Sequence, residues 1–187
     1  NKTHALELFE EIKMCHINTS KELTPDTAPQ LADIFTEIEW LLHDKPVRDY
    51  DYYYDQIVCS GELLSTAIIN HYLQHIGLSS VWVDVRDIIR TDNNFRDAGI
   101  QWDTTTANVQ NDIIPLLNDK IIITQGFVGS TEDNESTTLG REGSDYTAAI
   151  FANLLDAESQ TIWKDVEGVM NADPKKIETA QFIEKIN

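Results

Sequence analysis

The stretch that most restricts the fold runs from Lys120 to Tyr146, KIIITQGFVGSTEDNESTTLGREGSDY. Ile121 to Thr124 are apolar or β-branched and lead into Gly126-Phe127-Val128-Gly129-Ser130, the pattern of a buried strand that empties into a glycine-bearing turn. The chain returns through Gly140-Arg141-Glu142-Gly143 to Ser144-Asp145 and enters the apolar run Tyr146 to Leu155, which predicts a helix. Ser144 or Asp145 is the expected N-cap, and Gly140 and Gly143 let the preceding backbone approach a ligand. A helix start of this kind offers free N–H groups to an anion, with Arg141 beside them. Residues Gly129 to Ser136, small and acidic, read as a mobile loop.

Upstream, the apolar period is helical. Lys2 to Ile17 places Ala5, Leu8, Phe9 and Ile12 on one face and Glu7, Glu10, Glu11 and Lys13 on the other. After Thr24-Pro25-Asp26, Pro29 opens a second helix with the stripe Leu31, Ile34, Phe35, Ile38, Leu41 and Leu42, which Lys45-Pro46 ends. A third helix spans Asp51 to Ile76 and is closed by Gly77. Gly61 lies inside it, directly before Glu62, where an interior glycine costs a helix about 1 kcal/mol relative to alanine. That cost fits either a neutral flaw or a surface where a ligand presses close to the backbone.

Beyond Gly77 the period changes. Val81 to Val83, Ile121 to Thr124 and Thr161 to Trp163 read as strands, with helices over Asn108 to Leu117 and Tyr146 to Leu155 between them. Alternation of this kind predicts an α/β fold, mainly a parallel sheet sandwiched by helices, with a helical N-terminal part over about 1–77 and sheet and loops over about 78–187. Ligands in such sheets sit beyond the carboxyl ends of the strands, where the glycine loops fall.

Composition narrows the function. With 14 Lys plus Arg against 32 Asp plus Glu, the 187 residues carry a net charge of -18, which argues against nucleic acid and anionic membranes as partners. A local arginine still outweighs that field at contact distance. No apolar run is long enough for a membrane span and no signal pattern opens the chain, so the cytosol is the expected compartment. Cys15 and Cys59 lack metal spacing and read as reduced thiols. His71 and His75 are four apart on one helix face but have no accompanying third ligand, so no metal site is expected.

GFVGS, TTLGREGSDYTAA and IWKDVEGVMNADPKK, preceded by Ser60-Gly61-Glu62 and DVRDIIRTDNNF at 84–95, closely resemble in order the catalytic half of aspartate kinase, in the amino acid kinase family. The resemblance implies transfer of the ATP γ-phosphoryl group to the β-carboxylate of L-aspartate, giving 4-phospho-L-aspartate, the entry step to lysine, threonine and methionine synthesis. ATP, with Mg²⁺ on the nucleotide, and L-aspartate are the implied partners, and the parent enzyme is expected to be a homo-oligomer. Such chemistry asks the protein for positioning and charge neutralisation, not for a nucleophile.

The implied roles follow residue by residue. Arg141, whose planar fork matches a carboxylate, would hold the substrate aspartate, or else pair at the surface with Glu142 or Asp145. Glu62 would meet the substrate ammonium and Phe127 would pack beside the substrate. Ser144 and Asp145 would serve the substrate while capping the helix, with Asp145 orienting the catalytic lysines. At the nucleotide edge, Lys164 and Asp165 would border the adenosine, and Met170 and Lys175 would lie nearby, with Lys175 toward the phosphates. Lys164 stands where the family usually has threonine, Met170 where it has an aromatic, Lys175 where arginine is common, and Glu142 replaces a frequent glycine. The family's Lys-Phe-Gly-Gly-Thr-Ser phosphate loop, its second lysine motif and its ACT domains do not occur in these residues, so an internal piece of the catalytic domain, inactive alone, is expected. The competing reading is a non-catalytic nucleotide or amino acid binding or oligomerisation module, or a related kinase with another acceptor. The kinase reading requires Arg141 and Glu62 to converge on one cavity.

Overall fold

The computed structural model of the chain describes residues 2–164 and 168–184. Three helices, α1 (Lys2–Leu23), α2 (Gln30–His43) and α3 (Tyr50–His75), come first. Pro29 immediately precedes α2, and the Asp49 side chain caps α3 by accepting the Tyr52 N–H at 3.2 Å. Gly77, at φ 87°, stops the third helix as the sequence predicts. Leu31, Ile34, Phe35 and Ile38 of α2 pack on Leu63, Leu64, Ala67 and Ile68 of α3, and Phe9 of α1 meets Phe35 edge to face at 6.1 Å. Each such side chain contributes about 1.5–3 kcal/mol when fully buried. The α1 stripe is only partly used: Phe9 is buried, whereas Leu8 and Ile12 remain 45% and 50% exposed. This helix lies on the outside of the bundle and turns one narrow face inward.

At 26 residues, about 39 Å at the helical rise, α3 is the spine of the molecule. One face serves the helical core, and another presents Asp55, Cys59 and Thr66 to the strands. Strand β1 (Ser80–Trp82) pairs in parallel with β2 (Ile121–Ile123), Ser80 opposite Ile121. The crossover between them holds α4 (Val85–Ile88), α5 (Trp102–Asn108), a π turn over Val109–Ile113 and a 3₁₀ turn over Ile114–Leu116. Strands β3 (Val128–Ser130) and β4 (Ser136–Thr138) form an antiparallel hairpin, and α6 (Gly143–Leu154) follows.

Four sequence expectations are corrected here. Residues 129–136, read as a mobile loop, are the turn and flanks of the β3–β4 hairpin, bound on both sides by side chains. Arg90 donates to Ser130 Oγ, to the Thr131 carbonyl and to Asn134 Oδ1, and Gln56 both donates to the Ser136 carbonyl and accepts its N–H. The crossover helix starts at Trp102, ahead of the expected Asn108, although three threonines lower its propensity; buried Thr105 bonds both backbone groups of Arg90, and tertiary contact overrides propensity. Residues 161–163 form no strand: Trp163 is 90% exposed, and no described strand pairs with this segment. Neither Ser144 nor Asp145 is the N-cap of α6, which begins one residue earlier, at Gly143. Both sit inside its first turn.

The carboxylate of Asp55, fully buried on α3, accepts the Arg96 N–H at 2.8 Å, the Thr138 N–H at 2.9 Å and the Thr138 hydroxyl at 2.9 Å. It thereby joins α3, the 92–99 loop and β4. Replacing it by alanine strands two backbone donors, so Asp55→Ala is expected to destabilise the fold by about 3 kcal/mol. The shift of the urea midpoint measures this, and an unchanged midpoint would contradict the assignment.

Candidate functional site

The site is assembled from the end of β2 outward. Gln125, buried, accepts the Val85 N–H at 2.7 Å through Oε1 and donates to Thr66 Oγ1 at 2.8 Å through Nε2. Thr66 in turn donates to the Glu62 carbonyl at 2.7 Å. These bonds fix the β2 terminus against α3 and set Gly126 beside Glu62, whose carboxylate accepts the Gly126 N–H. Burial pushes the Glu62 carboxyl above the ordinary glutamate range, and the Gly126 N–H opposes that shift in part.

The turn then meets the start of α6 at very short range. A Cβ on Gly126 would lie 2.8 Å from Ser144 Oγ, and one on Gly143 would lie 2.6 Å from the Phe127 Cβ, so both positions require glycine. Phe127 has φ 52°, donates its N–H to Thr147 Oγ1 at 2.9 Å and accepts the Leu139 N–H at 2.8 Å. Its ring borders a cavity of about 260 Å³, shared with Tyr54, Val58, Thr138, Gly140 and two arginines, Arg96 and Arg141.

Of the residues singled out from the sequence, Phe127 and Arg141 line one cavity, whereas Glu62 and Ser144 meet the adjoining turn at Gly126 and are not among the residues that line it, so the cavity does not join Arg141 to Glu62 as the kinase reading expects. Glu62 holds Gly126, Phe127 is the next residue, Ser144 abuts Gly126, and Arg141 lines the same cavity as Phe127. Val58, one helical turn before Glu62, lines that cavity too. Arg141 is exposed and, among the described residues, forms no ion pair; the alternative pairing with Glu142 or Asp145 is not made. Asp145 instead pairs with Lys164 Nζ at 2.9 Å, which brings one nucleotide-edge residue to the first turn of α6. Asp165 lies outside the described residues. Met170 bridges to Phe182, and the Lys175 N–H bonds Asp173, so both sit within the 168–184 segment. Among the described residues, neither lines the cavity that Arg141 borders. His71 bonds Asp26 at 3.2 Å, and Cys15 and Cys59 are free thiols, exposed and buried respectively.

Sequence reasoning did not single out Asp55, Thr66, Arg96, Gln125 or Thr147. Gln125 carried a usable signal, a polar residue wedged between a run of isoleucines and a glycine.

The glycine turns of this α/β scaffold abut a helix start, with a carboxylate and guanidinium groups nearby, an arrangement of the kind that can hold a small anion. Comparison with known proteins gives the family: the model of the amino acid kinase family matches residues 3–187, and the chain belongs to that family. It is similar to lysine-sensitive aspartokinase 3 of Escherichia coli (strain K12), 39% identical over 132 residues that make up 71% of this chain and 29% of that protein. It is also similar to an aspartokinase of Chlamydia trachomatis, 30% identical over 183 residues, 96% of this chain and 40% of that one. Among solved structures, E. coli aspartokinase III in complex with aspartate and ADP superposes with a TM-score of 0.75 at 34% identity, covering 82% of this chain and 34% of that chain. The chain thus spans well under half the length of these relatives.

Two consequences are measurable. Because the folded pKa of Glu62 is raised, its neutral form is favoured in the fold; the stability it confers is full below the ordinary glutamate pKa and is lost as pH rises through the raised value. Glu62→Gln is therefore expected to unfold at or above the wild-type temperature at pH 7, with any advantage vanishing near pH 4. A lower melting temperature at pH 7 would contradict this. Glu142, where the family often has glycine, stands at φ 57°, ψ 24° with no side-chain cap bond. Relief of that left-handed strain outweighs the entropy of glycine, so Glu142→Gly should stabilise the fold by about 1 kcal/mol in thermal unfolding.

Proposed function

We propose that the protein transfers the γ-phosphoryl group of ATP to the β-carboxylate of L-aspartate. The observation that carries this reading is a cavity lined by Arg141 and Phe127 beside a glycine turn, at which Ser144 and Glu62 meet Gly126. In this reading Arg141 grips the α-carboxylate in a two-bond fork, and Glu62 takes the ammonium group. Phe127 walls the substrate on one side. A β-carboxylate oxygen attacks the γ-phosphorus, the bond to the β–γ bridging oxygen breaks, and ADP leaves with that electron pair. Ser144 and the uncapped start of α6 face the developing charge with backbone N–H groups. Asp145 pairs with Lys164, and the family resemblance assigns Lys164, Asp165, Met170 and Lys175 to the nucleotide. Mg²⁺ belongs to the MgATP substrate, whose phosphate oxygens supply most of its ligands.

The names of the similar proteins support the reading, since both curated relatives are aspartokinases and the solved structure holds aspartate and ADP. The 187 residues contain no Lys-Phe-Gly-Gly-Thr-Ser loop, and we propose that alone they do not turn over.

ADP release with MgATP and either L-aspartate or L-glutamate tests the proposal in the full-length protein. Aspartate is expected to be strongly preferred, and Arg141→Ala is expected to raise the aspartate KM by roughly tenfold or more, the scale of a charge-assisted pair, with little change for ATP. Equal rates with glutamate, or an unchanged aspartate KM in the variant, would overturn it. Turnover by the isolated 187 residues would overturn the statement that they are inactive alone.

A further inference from the structure

Arg96 lies just beyond the DVRDIIRTDNNF motif and has no role in the reading above, yet it lines the same cavity as Arg141. Its backbone stands at φ 70°, a conformation that a non-glycine residue keeps only where its surroundings impose it. Here they do: the buried Asp55 carboxylate takes its N–H, and Phe95 beside it packs edge to face on Tyr52 at 5.3 Å. The guanidinium is laid over the Tyr54 ring at 4.7 Å and near Tyr50 at 6.0 Å. One of its nitrogens, Nη1, donates to Asp51 at 2.9 Å. That bond uses one of the five N–H donors of the fork. Stacking on two tyrosines holds the plane in place, so little side-chain entropy remains to be lost when a ligand binds.

The position of Arg96 relative to Arg141 is equally constrained. A Cβ on Gly140 would lie 3.4 Å from the Arg96 carbonyl and 2.6 Å from Asp97 Oδ1, so the residue directly before Arg141 rests on the Arg96 segment. Two arginines therefore line a space of about 260 Å³ in a chain whose net charge is -18. Like charges across so small a space repel, and an anion between them removes that cost. Asp51, about half exposed, offsets only one of the two.

We propose that Arg96 is a second binding residue for the carboxylate of the amino acid substrate that is not phosphorylated, acting beside Arg141. This rests on the aspartate kinase reading. It assigns Arg96 to the non-reacting carboxylate because a cation clamped on the acceptor oxygen would oppose its attack on phosphorus. Arg96 then contributes equally to the ground and transition states, which lowers KM without changing kcat.

The test uses the full-length protein with L-aspartate and MgATP. Arg96→Gly removes the guanidinium and tolerates the left-handed backbone, so loss of the side chain is separated from loss of the fold. The aspartate KM is expected to rise roughly tenfold, with kcat and the ATP KM within about twofold of wild type. The difference from wild type should narrow as ionic strength rises, and Arg96→Lys should fall between the two. An aspartate KM for Arg96→Gly within about twofold of wild type, alongside the expected effect of Arg141→Ala, would overturn the role of Arg96 alone. Absence of aspartate phosphorylation by the wild-type protein would overturn this role together with the function on which it rests.

Discussion

The burial of Asp55 constrains everything around the cavity. A carboxylate taken out of water is tolerable only when its oxygens are fully engaged, and here three donors arrive from two distant parts of the chain. Those donors are mostly backbone, so the ion fixes the course of the main chain itself. Through Thr138 it sets the end of β4, and Gly140 and Arg141 follow only two and three residues later. Through Arg96 it sets the 92–99 loop, which Ala98 also ties to β4 by donating to the Thr138 carbonyl at 3.0 Å. The two arginines are thus referred to the same anchor on α3, the helix that also carries Glu62.

Strain gathers where that anchor acts. Arg96 and Phe127 both have left-handed backbones and both line the cavity, and Glu142 adjoins Arg141 in the same conformation. The first two are held by hydrogen bonds from neighbouring elements: Asp55 for Arg96, Thr147 and Leu139 for Phe127. Backbone of this kind concentrates at ligand sites because it aims side chains where relaxed backbone cannot. The packing of Gly126 and Gly143 belongs to the same economy of space. It brings the β2 turn into contact with α6, and the glycines serve that contact within the chain directly.

What could be read from the residues, and what could not, divides along physical lines. The three long helices were legible because burial imposes a 3.6-residue period and Pro29 and Gly77 punctuate it. The parallel pair β1 and β2 was legible because Val81 and the isoleucines at 121–123 are apolar on both faces. The β3–β4 hairpin was not, because Val-Gly-Ser and Ser-Thr-Thr carry little apolar signal; polar bonds from Arg90 and Gln56 hold it instead. Asp55, Thr66 and Thr147 escaped for a related reason. On a helix a buried polar residue with a distant partner has the same local spacing as a solvated one. Ser144 and Asp145 looked like caps because the cap preference is local, whereas the start of α6 is set by the Gly143–Phe127 contact and leaves Glu142 strained outside it. Arg141 and Glu62 could be nominated from the residues, but the placement of Glu62 at the Gly126 turn depends on Gln125, whose only mark is its polarity after a run of isoleucines, and that of Arg141 on Asp55, which the sequence does not mark.

A net charge of -18 and a cavity for an anion are compatible because the two act over different distances. Exposed carboxylates farther away than about 8–10 Å are largely screened at physiological salt. At contact, an opposite charge near a protein surface is worth about 4 kcal/mol at 4 Å. The local sign therefore depends on which acidic groups near the cavity are already engaged. Asp55 is satisfied by backbone donors, Asp145 by Lys164, and Asp51 by one edge of the Arg96 fork. Arg141 meets no such partner among the described residues. The acidity of the whole chain is a long-range property, while the arrangement of a few ion pairs leaves positive charge beside the cavity that Arg96 and Arg141 line.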